Sequence, residues 1–239
     1  MTNKKFAHFE IERFANRFLI QPECHANFFP YLGVALIHIP KTGGTALSVA
    51  LAREDYKRQI NGFEKKNIIP SIQFQRHRKA VELREAMGKT DFEAFLRVSL
   101  VRNPFEVMLS SYKWFQQTAP KTVGGPAAHL VAEVNKMSGF DEFCNSQYGR
   151  EMINFHPGDI WNYLTDEKDE MLVQIVGKLE QNDIMEKIST FTGIKFSTRM
   201  PKYNTTRHGH YAQYYNDISR QIIEQRFSKE LDYFGYAFE

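Results

Sequence analysis

Apolar residues cluster in three short runs that predict the strands of a sheet. The runs cover residues 33–39, 95–101 and 171–176, and each is followed by sequence of helical character. Helices are predicted at residues 45–54, 78–87, 104–116, 128–137, 182–191 and 217–230. Strands that alternate with helices are typical of α/β proteins, so we expect a central, mainly parallel sheet flanked by helices.

The segment that follows the first apolar run predicts an anion-binding site. It reads His38-Ile-Pro-Lys-Thr-Gly-Gly-Thr45 and leads directly into helix-forming sequence. A helix N-terminus offers unpaired backbone N–H groups and a partial positive charge, and glycines let a ligand approach the backbone. The candidate ligand-binding residues are Lys41, Thr42, Gly43, Gly44 and Thr45.

This loop differs from the two commonest nucleotide-binding loops. With Lys41 as its lysine, a Walker A loop requires glycines at positions 35 and 40, which here are Ala35 and Pro40. No G-x-G-x-x-G sequence follows the strand, so a dinucleotide fingerprint is also excluded.

A second candidate anion site follows the second apolar run. Residues 95–101 are followed by Arg102, Asn103 and Pro104. Pro104 suits the first turn of a helix, and Asn103 suits its cap. Both candidate loops follow predicted parallel strands, at whose carboxyl ends ligands bind in open sheets.

Taken together, the two segments resemble the cofactor motifs of sulfotransferases that use 3′-phosphoadenosine-5′-phosphosulfate (PAPS). Residues 38–45 resemble the loop for the 5′-phosphosulfate, and Arg102 with Ser110, eight residues later, resembles the 3′-phosphate motif. Residues 171–180 and 214–236 are similar to the family's late strand and terminal helix.

The similarity is best to the polysaccharide-type branch, which includes heparan sulfate 2-O-sulfotransferase and small bacterial relatives. It implies a single sulfotransferase domain over residues 1–239, with a P-loop nucleotide-kinase-like fold. It also implies transfer of a sulfuryl group from PAPS to an acceptor hydroxyl, on a carbohydrate or glycoconjugate, by metal-free in-line displacement that leaves adenosine 3′,5′-bisphosphate.

The resemblance assigns a role to each candidate residue. Lys41 is expected to stabilise the leaving 5′-phosphate, and the loop residues 42–45 to bind it. Arg102 and Ser110 are expected to bind the 3′-phosphate. Arg207, in a segment similar to the family's basic loop, is a further candidate for cofactor binding.

The general base is assigned to His77. This residue lies where polysaccharide-type relatives often carry a histidine, and an unperturbed imidazole titrates near neutral pH. Its basic neighbours would lower its pKa, which keeps the ring neutral but makes it a weaker base. Glu82, His208 and His210 remain open as alternatives.

Composition adds limits on partners and location. The net charge of +3 suits anionic ligands and lacks the basic surface of a nucleic-acid-binding protein. Cys24 and Cys144 have no metal-ligand spacing, which is typical of reduced cytoplasmic thiols. No apolar run approaches the ~18 residues of a membrane span, and no signal-peptide core follows the N-terminus. Together with the resemblance to small bacterial relatives, these features lead us to expect a bacterial cytoplasmic enzyme without a transmembrane segment.

Two alternatives from other classes remain. A nucleotide-dependent phosphotransferase of related fold would place a Mg²⁺-binding carboxylate at a strand end, where this chain has Arg102. A catalytically inactive nucleotide-binding relative would favour loss of Lys41, which is present. The sequence defines neither the acceptor nor the oligomeric state.

Overall fold

The computed structural model of the protein describes residues 26–62, 76–196, 199–202 and 208–239. These residues fall into two units. The first unit comprises the described parts of residues 1–101 and 163–203, and the second those of residues 102–162 and 204–239.

A four-stranded sheet forms the centre of the first unit. Its strands, in spatial order, are Phe28–Phe29, Val34–Ile37, Leu96–Val101 and Ile175–Lys178. The first pair is antiparallel and the other two pairs are parallel. Side chains of the strand Val34–Ile37 are buried throughout, as expected for a parallel strand covered on both faces. The expected α/β class with a mainly parallel sheet is confirmed.

The third predicted strand lies later in the chain than expected. Residues 171–176 were expected to form it, whereas the structure has Ile175–Lys178. The reason is that the apolar residues just before it bond elsewhere: Met171 bridges to Thr165, and the N–H of Leu172 donates to the carbonyl of Leu164 at 2.8 Å. Only the last two residues of the apolar run, 175 and 176, therefore belong to the strand.

Helices of the first unit cover the sheet. They are Gly44–Gly62, Ala80–Met87, Lys89–Ala94 and Ile184–Thr192. The last of these packs closely on the sheet because Gly177 has no side chain: a Cβ there would lie 2.6 Å from the Cβ of Ile184. Leu47, Leu51, Ile184 and Ile188 join the strand residues in one apolar core.

The second unit is mostly helical. Its helices are Pro104–Gln117, Ala119–Thr122, Ala128–Lys136, Phe140–Asn145, Gln147–Glu151, Asp217–Arg226 and Ser228–Phe234. A short hairpin pairs Met152–Ile153 with His156–Pro157, and 3₁₀ turns cover Gly125–Ala127 and Tyr211–Tyr214. The helix Ile160–Leu164 includes the point at which the chain returns to the first unit.

A buried arginine holds several loops of the second unit together. The side chain of Arg226 is 5% exposed. It donates to the carbonyls of Gly149, Met152 and Gly158 and to the carboxylate of Asp159. A planar guanidinium satisfies several acceptors at once, so this residue is structural.

Three predicted boundaries differ from the structure for local reasons. Asn182 has a positive φ of 51°, so the helix predicted from residue 182 begins at Ile184. The predicted helix 217–230 is two helices, because Phe227 (φ −103°, ψ 26°) leaves the helical conformation between them. The third difference is the short helix Ala119–Thr122, which was not predicted and which has Pro120 in its first turn, where proline is favourable.

No helix within the described ranges has both the length and the apolar character needed to cross a bilayer. The thiol of Cys144 is free and buried, and burial raises its pKa. Cys24 lies outside the described residues.

Candidate functional site

The turn after the strand Val34–Ile37 forms the predicted anion-binding loop. Lys41 and Gly43 both have positive φ values, 65° and 88°. Successive N–H groups in such turns point toward a common centre and form concave anion sites. Thr42 is fully buried, and its hydroxyl donates to the carbonyl of Ile39 at 3.0 Å. That hydroxyl closes the loop on itself, so Thr42 would offer a ligand its backbone.

The helix that starts at Gly44 supplies further donors. The N–H groups of Ala46 and Leu47 both donate to the carbonyl of Gly43, at 3.0 and 3.2 Å. Gly44 and Thr45 begin the helix, so no carbonyl of their own helix is placed to accept from their N–H groups. The first turn of this helix contains no acidic residue, so its own sequence supplies no carboxylate to occupy the positive end of the dipole.

Both glycines of the loop lie against close neighbours. A Cβ at Gly44 would lie 2.1 Å from Cδ2 of His38, whose ring is 3% exposed. A Cβ at Gly43 would lie 2.7 Å from a methyl group of Leu179, just after the strand Ile175–Lys178. The loop thus rests on an imidazole on one side and a leucine on the other, and its backbone is the surface it can offer a ligand.

His77 is fastened to the same loop. Its Nδ1 lies 2.9 Å from the carbonyl oxygen of His38, and the two rings meet edge to face with centroids 4.6 Å apart. A carbonyl oxygen only accepts, so Nδ1 carries the proton in this contact. In the neutral ring, Nε2 then carries the lone pair, which is the arrangement that a general base requires.

Arg76, the residue before His77, contacts the start of the helix. Its Nη2 donates to Oγ1 of Thr45 at 2.6 Å. In the sequence, Arg76 is one of the basic neighbours that were expected to lower the pKa of His77. Its contact with Thr45 spans 31 residues, and no short motif predicts such a contact.

The second anion-site candidates lie in the second unit. Asn103 caps the helix Pro104–Gln117 as predicted, accepting from the N–H of Phe105 at 3.1 Å. Arg102 pairs with Glu106, with Nη2 and Oε2 2.8 Å apart. Ser110 is only 2% exposed. The structure thus shows a well-formed helix start after Arg102, with one carboxylate already bound to the arginine.

The alternative bases have other contacts. Glu82 accepts from the N–H of Lys79 at 2.9 Å, in a capping box at the start of the helix Ala80–Met87. Nε2 of His208 lies 3.8 Å from Glu106, and the ring of His210 stacks on Tyr211.

The structure therefore brings one group of the predicted residues together. Lys41, Thr42, Gly43, Gly44, Thr45 and His77 lie around one turn of the first unit. Arg102 and Ser110 lie in the second unit, and Arg207 lies outside the described residues. Among the described residues, no group of three or more His, Cys, Asp or Glu side chains is arranged to hold a metal ion.

The donors of this turn fit a phosphosulfate. Phosphate and sulfate oxygens accept hydrogen bonds from backbone N–H groups at helix starts and from lysine. The loop provides these donors at a turn with two positive-φ residues, Lys41 and Gly43, and at the helix start that follows it.

Comparison with known proteins agrees with this chemistry. The family model described as "Sulfotransferase family" matches residues 25–237. Comparisons with curated proteins and with solved structures gave no match. Since the family match covers nearly the whole chain, including both units, this protein belongs to the sulfotransferase family, whose members use PAPS.

Proposed function

We propose that this protein transfers a sulfuryl group from PAPS to a hydroxyl of a carbohydrate or glycoconjugate, without a metal ion. One observation carries the proposal. The candidate base is hydrogen-bonded to the candidate anion loop: Nδ1–H of His77 donates to the carbonyl of His38, the first residue of the loop, and this bond fixes the tautomer of His77.

PAPS, when bound, supplies the sulfuryl group, whose bond to the 5′-phosphate oxygen breaks as a bond forms to the acceptor oxygen. The electron pair of the broken bond stays on the 5′-phosphate, so negative charge develops there. The acceptor hydroxyl must lose its proton in the same process.

The loop residues stabilise the developing charge. Lys41 supplies a full positive charge at the turn, and the N–H groups of Gly44 and Thr45 supply fixed dipoles. Fixed donors aimed at developing charge need no reorganisation during the reaction, so their contribution to the rate is large. These cationic and backbone donors provide a positive field without a metal.

His77 receives the acceptor proton at Nε2. The bond from Nδ1–H to the carbonyl of His38 holds the ring in this tautomer and stabilises the imidazolium that forms. General-base catalysis of this kind contributes about 10²–10⁴-fold to the rate.

The 3′-phosphate is assigned to Arg102, Ser110 and Arg207, by resemblance to the family motif. Glu106 would share Arg102 with that phosphate, since the two side chains are paired at 2.8 Å. The carbohydrate acceptor rests on resemblance to the polysaccharide-type branch. The family match over both units supports a single catalytic domain. A bacterial, cytoplasmic origin is proposed from the sequence, and the free thiol of Cys144 suits a reducing compartment.

Release of adenosine 3′,5′-bisphosphate from PAPS, measured by chromatography with a panel of oligosaccharide, lipid-linked sugar and simple alcohol acceptors, tests the proposal. The wild-type protein should turn over with a sugar acceptor. Lys41→Ala should abolish turnover, whereas Lys89→Ala, which removes the same charge from an exposed side chain, should not. Unchanged turnover in Lys41→Ala would contradict the mechanism.

The role of His77 is tested by His77→Asn. The asparagine amide can still donate to the carbonyl of His38 but has no Nε2. We expect turnover to fall about 10²–10⁴-fold while the Kd for adenosine 3′,5′-bisphosphate stays unchanged. His129→Asn, at an exposed position, is the control. Full activity in His77→Asn would move the base elsewhere.

A further inference from the structure

Arg76 reaches the phosphate loop from outside it. Its guanidinium donates to the hydroxyl of Thr45 at 2.6 Å, and Thr45 is the second residue of the helix that starts at Gly44. The N–H of Thr45 is one of the candidate anion donors. The contact therefore places part of the Arg76 guanidinium within hydrogen-bonding distance of a residue of the candidate anion site.

The short segment that carries Arg76 is attached to the loop at two points. Arg76 bonds to Thr45, after the glycines, and His77 bonds to the carbonyl of His38, before them. The ring of His38 in turn packs on Gly44. Two adjacent residues thus contact both ends of the loop, so the position of Arg76 is fixed together with that of the base.

The helix start, Lys41 and Arg76 all contribute charge of one sign. The helix start carries a partial positive charge, Lys41 lies in the turn, and Arg76 adds a second full charge. A cation at a helix N-terminus is unfavourable unless an anion lies there as well. An anion bound at the turn would convert this repulsion into attraction.

We propose that Arg76 is a direct ligand of the 5′-phosphosulfate end of the cofactor, held in place by Thr45. This inference rests on the proposed function. Guanidinium presents five N–H donors in a plane, and this fork matches the oxygens of phosphate and sulfate better than the point charge of a lysine does. Arg76 thus complements Lys41, and its bond to Thr45 orients it before the cofactor binds.

Calorimetric titration with two ligands isolates this contact. Adenosine 3′,5′-bisphosphate carries a 5′-phosphate, and adenosine 3′-monophosphate has only the hydroxyl there. Arg76→Gln should raise the Kd for the bisphosphate about 10- to 100-fold, the range for a lost hydrogen bond to a charged group, and leave the Kd for the monophosphate unchanged. Lys89→Gln removes a positive charge from an exposed side chain and should change neither value by more than about twofold.

The outcomes separate this inference from the proposed function. If wild-type protein fails to bind the bisphosphate, the proposed function is wrong, and Arg76 has no such ligand. If wild-type protein binds it and Arg76→Gln binds equally well, the proposed function stands and the inference about Arg76 is wrong. Equal weakening of both ligands would show that Arg76 only supports the fold of the loop, which also overturns the inference.

A second variant covers the case in which Arg76→Gln does not fold, which thermal unfolding detects. Arg76→Lys keeps the charge and loses the planar fork. It should retain the fold and bind the bisphosphate at least about threefold more weakly than wild type, with the monophosphate unaffected. Wild-type affinity in Arg76→Lys would show that the site needs only a positive charge, which contradicts a guanidinium ligand.

Discussion

The contact between Gly44 and His38 gives the sharpest steric prediction. In Gly44→Ala, the new Cβ would lie 2.1 Å from Cδ2 and 2.5 Å from Nε2 of the His38 ring. Carbon atoms in ordinary contact are about 3.5–4.0 Å apart, so the ring or the loop must move by roughly 1.4 Å. The ring is 3% exposed and meets His77 edge to face, which leaves it little space to retreat.

The expected size of the effect follows from these contacts. Crowding of a packed site costs about 1–3 kcal/mol. Gly44 does not have a positive φ and starts a helix, so alanine would otherwise stabilise the protein by about 0.5–1 kcal/mol. We expect the steric cost to exceed this gain, and Tm to fall by about 2–4 °C for each net kcal/mol lost. A loop displaced by this distance should also bind the cofactor product more weakly.

A double-mutant cycle tests the cause. His38→Ala removes the ring, so in the double variant the added methyl group meets no obstacle, and the combined loss should be smaller than the sum of the single losses by about 1–3 kcal/mol. Urea unfolding and calorimetry with adenosine 3′,5′-bisphosphate give the stabilities and affinities. Gly124→Ala is the control, because a Cβ there has no neighbour within 4 Å. Additive losses, or a Gly44→Ala protein as stable as wild type, would refute the steric argument.

Two further predictions concern stability. Asp55 is 1% exposed, and burial raises its pKa to about 7, so the folded protein binds its proton more tightly than the unfolded chain. The contribution of Asp55 to the free energy of unfolding should therefore be greatest below about pH 4 and fall by about 4 kcal/mol as pH rises to 7. Asp55→Asn keeps an acceptor for the N–H of Leu32, and its urea unfolding should depend less on pH. A pH profile equal to that of the wild type would disprove this. Arg226→Lys should lower the free energy of unfolding by about 2–5 kcal/mol, because lysine cannot satisfy the buried acceptors together. Arg220→Lys, at an exposed ion pair, is the control and should change it by about 0.5 kcal/mol at most. Equal melting temperatures for the two variants would contradict the structural role of Arg226.

The sequence predicted the parts of the fold that local patterns control. Short apolar runs marked the strands beside the loop, and Asn103 marked the start of the helix Pro104–Gln117 because capping is a local interaction. The two-residue strand Phe28–Phe29 was missed, since so short a segment has no periodicity and forms only by pairing with Val34–Ile37. The break at Phe227 was missed for a similar reason, because tertiary packing of a fully buried ring overrides helical sequence.

For the candidate site too, the sequence predicted what is contiguous in the chain and missed the contacts that depend on tertiary packing. The loop residues around Lys41 were predicted because strand, glycines and helix start are contiguous in sequence. Sequence could not show that His38 supports both the loop and His77, because the packing of its ring on Gly44 has no sequence signature and His77 lies 39 residues further along the chain. The contact of Arg76 with Thr45 was likewise out of reach of any motif.

The pairing of Arg102 with Glu106 also came from the structure. The four-residue spacing places both side chains on one face of the helix start, where an ion pair is favourable. By resemblance to the family motif, Arg102 was expected to bind the 3′-phosphate, and no role was predicted for Glu106. A 3′-phosphate bound there would share the guanidinium with this carboxylate.

Calorimetric titration of the wild-type protein with adenosine 3′,5′-bisphosphate, ADP and Mg·ATP tests the central claim most directly. A PAPS site built from Lys41, loop N–H groups and arginines should bind the bisphosphate tightly in the presence of a chelator and should bind ADP, which lacks a 3′-phosphate, far more weakly. Preference for Mg·ATP, or equal affinity for ADP and the bisphosphate, would contradict the account.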